Sequence, residues 1–274
     1  MEATARGVLH LVAVPIAPGE AQPARAAWDE RAVREALPEP AIQRVRSLRY
    51  FLVENARTAR AFLKAAGHPA SLSELRIAEV GHEPQAALLD EWLAPLLEDG
   101  QRAAVDAALL SEAGCPGIAD PGAQIVARAH ELGIRVQPWV GPSSILLALM
   151  GAGMNGQRFR FLGYLPQERE ALRARLASLQ QDARRGETQI FIETPYRNER
   201  LLEELLVCCD PVLRLCLAVD LMGAQASLQT RSIAQWRALA PAARPALHRR
   251  PAVFLVHGAG GGPLPRPRAA RGRR

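Results

Sequence analysis

Lysine is almost missing from this chain: Lys64 is the only one among 34 basic side chains, so nearly every positive charge is an arginine. In so alanine-rich a sequence that preference fits genomic base composition as readily as phosphate binding, and it argues for neither. No apolar run approaches the about 20 residues a membrane helix needs. The longest near the start, Val8 to Ile16, is interrupted by His10 and Pro15 and lacks a signal-peptide flank. The four cysteines, Cys115, Cys208, Cys209 and Cys216, contain no C-x-x-C pair, and adjacent thiols at 208 and 209 suit neither a simple disulfide nor a zinc site. Reduced thiols in a soluble, cytoplasmic protein with no membrane association and no metal site are the simplest expectation. No G-x-G-x-x-G follows the first strand, which removes support for a dinucleotide fold of the usual kind. No internal repeat is visible.

What remains is an ordinary globular balance, with 49% apolar and 23% charged residues over 274 positions, enough for one large domain or two medium ones. The net charge is +6, but Arg266, Arg268, Arg271, Arg273 and Arg274 account for five of those charges. The body is therefore almost neutral, and its overall charge gives no argument for nucleic-acid binding.

Apolar runs of strand length alternate with segments of helical period. Strands are expected at Val8–Val14, Tyr50–Val53, Ile77–Val80, Val105–Leu110 and Ile134–Pro138, with helices over 29–37, 58–66, 86–97, 123–132 and 145–150 between and after them. Residues 20–47 are otherwise irregular. The pattern restarts with strands near 159–162, 189–193, 213–221 and 253–257 and helices near 168–183, 199–208 and 233–239. Such alternation indicates parallel α/β architecture. From Gly258 the chain is rich in Gly, Pro and Arg without apolar periodicity, so residues 259–274 are expected to be a disordered tail. As a flexible cationic arm that tail could strengthen RNA binding; as a solvated end it would be dispensable.

The most informative stretch is Ser111 to Gly122, S-E-A-G-C-P-G-I-A-D-P-G, which joins an apolar strand to a periodic helix. Three glycines and two prolines make it stiff and allow close backbone approach. A loop of this kind at the carboxyl end of a strand is where open α/β sheets bind ligands, although Gly and Pro also serve simple turns.

Read in order, this loop, then H-E-L-G-I-R-V, G-P-S-S (141–144), F-L-G-Y-L-P (161–166) and F-I-E-T-P-Y-R (191–197) resemble the tetrapyrrole methylase superfamily. Within it they are most similar to the bacterial small-subunit ribosomal RNA methyltransferase I branch, which methylates a cytidine 2′-hydroxyl. V-E-N-A-R (53–57) is similar to that branch's E-D-T-R, and the similarity is colinear from about residue 8 to 257. The resemblance implies two α/β domains, residues 1–141 and 142–258, with S-adenosylmethionine in the cleft between them. It also implies cofactor contacts at Gly114, Cys115, Pro116 and Ile118, at Ser143 and Ser144, and at Pro15. A homodimer and an acceptor in ribosomal RNA or the small ribosomal subunit complete the implied picture. Either Ser143 or Ser144 could also simply cap the following helix.

The chain departs from the branch's pattern at Pro15-Ile16-Ala17-Pro18, where Pro-Ile-Gly-Asn is usual, and at Arg249-Arg250-Pro251 in place of a basic-Gly-Glu run. It also has Val219-Asp220-Leu221-Met222-Gly223 where Arg-Glu-x-Thr-Lys is usual. These changes bear on the acceptor more than on the cofactor. Hydroxyl methylation needs a base for the departing proton. Glu54, with Arg57 as an anion or substrate contact, is the candidate catalytic pair; Glu193 with Arg197 is a second. Both pairs could instead be local ion pairs; Asp120 is a third candidate base, but before Pro121 at a helix start it reads more readily as a cap. Two other readings stay open: the same cofactor with a tetrapyrrole, protein or small-molecule acceptor, and a non-catalytic cofactor- or RNA-binding homologue.

Overall fold

In the first half of the chain two strands, Tyr50–Val53 and Ala107–Leu110, are short, apolar and buried at every residue, the pattern of strands covered on both faces. A computed structural model describes residues 6–16, 28–98 and 102–258, and it divides the chain into two units, Met1–Ser144 and Ile145–Arg274. In the first unit β1 (Val8–Val12), β2 (Tyr50–Val53), β3 (Arg76–Glu79), β4 (Ala107–Leu110) and β5 (Arg135–Pro138) pair in the order β3-β2-β4-β1-β5, every pair parallel. Alternation along β2 sends Phe51 and Val53 to one face and Tyr50 and Leu52 to the other. On the first face they meet Val33, Ile42, Val45, Phe62 and Leu63 from α1 (Glu30–Ala36), α2 (Glu39–Ser47) and α3 (Ala56–Ala65). On the second they meet Trp92 and Leu93 of α4 (Leu89–Leu93) and Ile125 and Ala129 of α5 (Gly122–Glu131).

Three local outcomes differ from the sequence expectation. Helix α2 forms where no regular structure was expected, because Pro38 and Pro40 fall at its N-cap and first turn, where a missing N–H costs nothing. Strand β4 begins at Ala107 rather than Val105: the Asp106 carboxylate takes the Val8 N–H at 2.8 Å, and Val105 N–H turns to the Pro95 carbonyl. The helix expected over 86–97 is broken into α4 and two flanking 3₁₀ turns, Ala86–Leu88 and Ala94–Leu96, the second with Pro95 in its first turn.

The second unit is not parallel. Its strands β6 (Phe159–Tyr164), β7 (Thr188–Ile192), β8 (Arg214–Val219), β9 (Ser227–Ser232) and β10 (Ala252–His257) run in the order β6-β7-β10-β8-β9. Only β6 and β7 are parallel; the other three pairs are antiparallel. The cause is a tight connection from β8 to β9, in which Asp220 and Met222 take left-handed φ values of 52° and 66° and Gly223 N–H bonds back to the Asp220 carbonyl at 2.8 Å. Helices α7 (Arg169–Arg184), α8 (Asn198–Cys208) and α9 (Ile233–Ala238) cover one face, and α6 (Ser144–Ala152) covers the other. Trp236 of α9 is fully buried, its indole N–H on the Leu215 carbonyl at 2.9 Å. Among the described residues no helix is long and apolar enough to cross a membrane. Pro18 and the 259–274 tail lie outside the described residues.

Candidate functional site

β4, β1 and β5 are neighbours in one parallel sheet, so the segments leaving their carboxyl ends must emerge side by side. The Ser111–Gly122 loop is stitched to the segment after β1 by a reciprocal pair of backbone bonds between Val14 and Gly114, each 2.9 Å. Ser111 Oγ donates to the Gly114 carbonyl at 2.8 Å, and Gly114 itself turns through φ +77°. Cys115 Sγ lies 3.2 Å from the Pro142 carbonyl, which ties the same loop to the segment after β5. Trp139 in that segment donates its indole N–H to Nδ1 of the buried His10 on β1, at 3.1 Å. Gly141 packs so closely on Ala13 that a Cβ there would overlap the alanine methyl.

Pro15, Gly114, Cys115, Pro116 and Ser143 therefore belong to one set of interlocked loops, with Ser144 beginning α6. Pro15, Gly114, Pro116 and Ser143 are buried; Ile118 is 49% exposed, an apolar side chain held at the loop's surface. Burial pushes the Cys115 thiol up, so it is present as a neutral, packed group rather than a nucleophile. Asp120 braces the loop: its Oδ1 accepts from Gly117 N–H at 2.6 Å and Gly122 N–H at 2.7 Å. With its carboxylate engaged there, Asp120 is a structural brace.

One strand over, at the carboxyl end of β2, Glu54 is not paired with Arg57. One of its oxygens meets His82 Nδ1 at 2.6 Å and the other accepts Glu112 N–H at 3.0 Å. The reason is local: Asn55 caps α3 by accepting from the N–H groups of Arg57 and Thr58, which starts the helix earlier than the sequence suggests and leaves Arg57 exposed. Desolvation pushes the Glu54 carboxyl above its usual range, as do the Asp120 and Glu112 charges; the Glu112 N–H and His82 pull the other way. Its side chain is 13% exposed, whereas that of His82 is 75% exposed. Donor atoms of Glu54, His82 and Glu112 all lie within 4.8 Å of one another, the one such His/Cys/Asp/Glu grouping among the described residues. Sequence reasoning missed His82 and Glu112 because they are 28 and 58 positions from Glu54, and no spacing rule joins them.

In the second unit Glu193 and Arg197 do pair, at 2.6 Å, with the Glu193 side chain only 7% exposed. The same Glu193 oxygen accepts Thr194 N–H at 2.6 Å. This carboxylate is committed to its own loop.

Residues 29–233 match the family described as "Tetrapyrrole (Corrin/Porphyrin) Methylases". Over 100 residues the chain is 45% identical to "Ribosomal RNA small subunit methyltransferase I" of Pseudomonas aeruginosa, a match covering 36% of this chain and 33% of that protein. A protein of the same name from Micromonospora olivasterospora is 38% identical over 124 residues, covering 45% of this chain and 37% of its own. The matched stretches thus span about a third of these curated relatives. A solved structure titled "Crystal structure of diphthine synthase" shares the fold at a TM-score of 0.55 and 14% identity, covering 92% of this chain and 90% of that one.

Proposed function

Starting from the fact that this chain belongs to the tetrapyrrole (corrin/porphyrin) methylase family, we propose that it is an S-adenosylmethionine-dependent methyltransferase acting on a ribose 2′-hydroxyl of small-subunit ribosomal RNA. The observation that carries the reading is the interlocked set of loops at the carboxyl ends of β4, β1 and β5 beside the Glu54–His82 couple.

The loops fit such a cofactor. Gly114 presents backbone without a side chain in a left-handed turn, Pro15 and Pro116 keep the path rigid, and Ile118 offers an exposed apolar wall. Cys115 positions the loop through the Pro142 carbonyl, and Ser143 and Ser144 supply hydroxyls. When bound, the cofactor supplies a methyl group already activated on a sulfonium. The protein's task is then to align the acceptor and remove its proton. His82 Nδ1–H donates to Glu54 Oε1, which leaves Nε2 of the exposed ring as the acceptor of the hydroxyl proton. With the methyl donor bound, the acceptor's hydroxyl proton would pass to Nε2, and the Glu54 carboxylate would stabilise the resulting imidazolium. Arg57, exposed on the first turn of α3, is the candidate contact to a flanking phosphate.

This activity implies a cytoplasmic protein that meets the small ribosomal subunit, and we propose a homodimer as the active form; light scattering of the purified chain tests the latter. The function itself is tested with labelled S-adenosylmethionine and small subunits from cells lacking the modification. Label in the RNA is expected. Cofactor binding without label in RNA would refute the acceptor. In that case a second acceptor class becomes the better reading, favoured by Val219–Gly223, which lacks the two basic residues of the relatives' motif.

A further inference from the structure

The mixed sheet of the second unit gathers chain ends that are far apart in sequence. Register places the carboxyl ends of β6, β7 and β8 and the amino ends of β10 and β9 along one edge: Tyr164 beside Ile192, Val253 beside Ile192, and Ala252 and Ser227 both beside Val219. Large apolar and aromatic groups stand exposed on that edge, with Tyr164 at 60%, Tyr196 at 61% and Met222 at 49%. Among them stand Arg249 and Arg250. The Arg249 guanidinium lies over the Tyr196 ring, 5.6 Å from its centroid.

Unfavourable backbone geometry is spent on this arrangement. Four non-glycine residues among those described have left-handed φ, and three of them, Asp220, Met222 and Arg249, lie on this edge. Such residues persist where surrounding bonds over-determine them, and they cluster at ligand clamps. The bonds are present: Arg249 N–H donates to the Pro195 carbonyl at 3.1 Å, beside Tyr196. The fully buried Asn198 donates to the Arg250 carbonyl at 2.7 Å, and Asp220 N–H to the Pro251 carbonyl at 2.9 Å. The Arg250 guanidinium holds the Gln225 side chain. The Glu193 carboxylate is neutralised by Arg197, and the Arg249 side chain is exposed over the Tyr196 ring.

We infer that Tyr196 and Arg249 form a stacking platform for an unpaired base of single-stranded RNA, with Arg249 and Arg250 meeting the flanking phosphates. The inference rests on the reading of RNA as acceptor and names where the second unit grips it. An exposed aromatic ring next to fixed guanidinium groups is the surface that single-stranded nucleic acid recognises, through base stacking and backbone charge together. Pre-setting by the Pro195 and Asn198 bonds limits the ordering cost of binding.

The test uses the full chain and a fluorescent single-stranded RNA oligonucleotide of mixed sequence. Tyr196→Ala is expected to weaken binding by about 5- to 100-fold, the worth of one base stack, while Tyr196→Phe stays near wild type. Arg249→Ala is expected to reduce the slope of log affinity against log salt by about 0.7, one phosphate on a single strand. Cofactor affinity and melting temperature, measured in parallel, should not change. Independently, photocrosslinking of 4-thiouridine RNA to the unaltered protein should place the adduct on Tyr196 or its immediate neighbours. Wild-type RNA binding with Tyr196→Ala equally tight, or a crosslink confined to the first unit, would overturn the platform and leave the RNA reading intact. A wild-type chain that neither binds RNA nor labels small subunits would overturn the RNA reading and the platform with it.

Discussion

Replacing Gly114 with alanine, and separately Gly117 with alanine, separates a glycine needed by a turn from a glycine needed by a ligand. Both residues are left-handed, at φ +77° and +79°. A Cβ at Gly114 would come no closer than 3.5 Å to the Pro142 carbonyl oxygen, and one at Gly117 no closer than 3.8 Å to Ala123 N. Neither substitution creates a clash, so each costs the same intrinsic strain of a side chain in left-handed backbone, about 1–2 kcal/mol. For a unit of this size that corresponds to a fall in melting temperature of about 3–8 °C for either variant. If the cofactor approaches the backbone at Gly114, the added methyl also blocks a bond to a charged ligand, worth about 1.5–3 kcal/mol. S-adenosylmethionine affinity measured by calorimetry should then fall at least about tenfold for Gly114→Ala and stay close to wild type for Gly117→Ala. Equal loss of stability with unchanged affinity in both variants would refute the reasoning and reduce Gly114 to turn geometry.

Glu54→Gln removes the carboxylate that orients His82 and stabilises its charged form, and should lower the transfer rate, followed with labelled cofactor, by about 10²- to 10⁴-fold. The same group affects stability. Its folded pKa lies above the unfolded value, so the folded state holds the proton longer, and stability falls as pH rises across that interval. Denaturation of Glu54→Gln at several pH values should show a shallower decline. Burial pushes Cys209 up to about 12 and Cys216 up to about 11, so titration of the native protein with a thiol reagent at pH 8 should leave both silent until denaturant is added. Trp236→Ala removes a fully buried ring and its bond to the Leu215 carbonyl; a loss of about 3–5 kcal/mol is expected in chemical denaturation of the second unit.

The parts of the fold that were legible are those where burial is written into composition. Strands β2 and β4 are buried at every residue and read as apolar runs; α3 and α5 end at a glycine one or two residues on. Strand β9 was invisible because Ser-Leu-Gln-Thr-Arg-Ser is a half-exposed edge strand, and without it the antiparallel character of the second sheet cannot be inferred. Helix α2 was hidden by prolines that break helix interiors and are tolerated at their starts. At the site, the Ser111–Gly122 loop announced itself through glycine and proline, and Glu54 through its place after a strand. Its partner did not: His82 reaches Glu54 only because β2 and β3 are neighbours, a fact of pairing with no trace in either segment. The Glu193–Arg197 pair, four apart on one loop and helix start, was legible for the opposite reason.

The strand order of the second unit has a consequence for how the protein is made. β10 sits between β7 and β8, so two of the four ladders in that sheet need Ala252–His257. Until those residues have left the ribosome, β7 and β8 each present a bare apolar edge, and Phe191 lacks the Phe254 ring it stacks on at 5.8 Å. The first unit has all five of its strands once Pro138 is out. Synthesis therefore delivers an N-terminal unit able to fold early, followed by about a hundred residues that wait, open to strand exchange or chaperone capture, for a single late strand to close them.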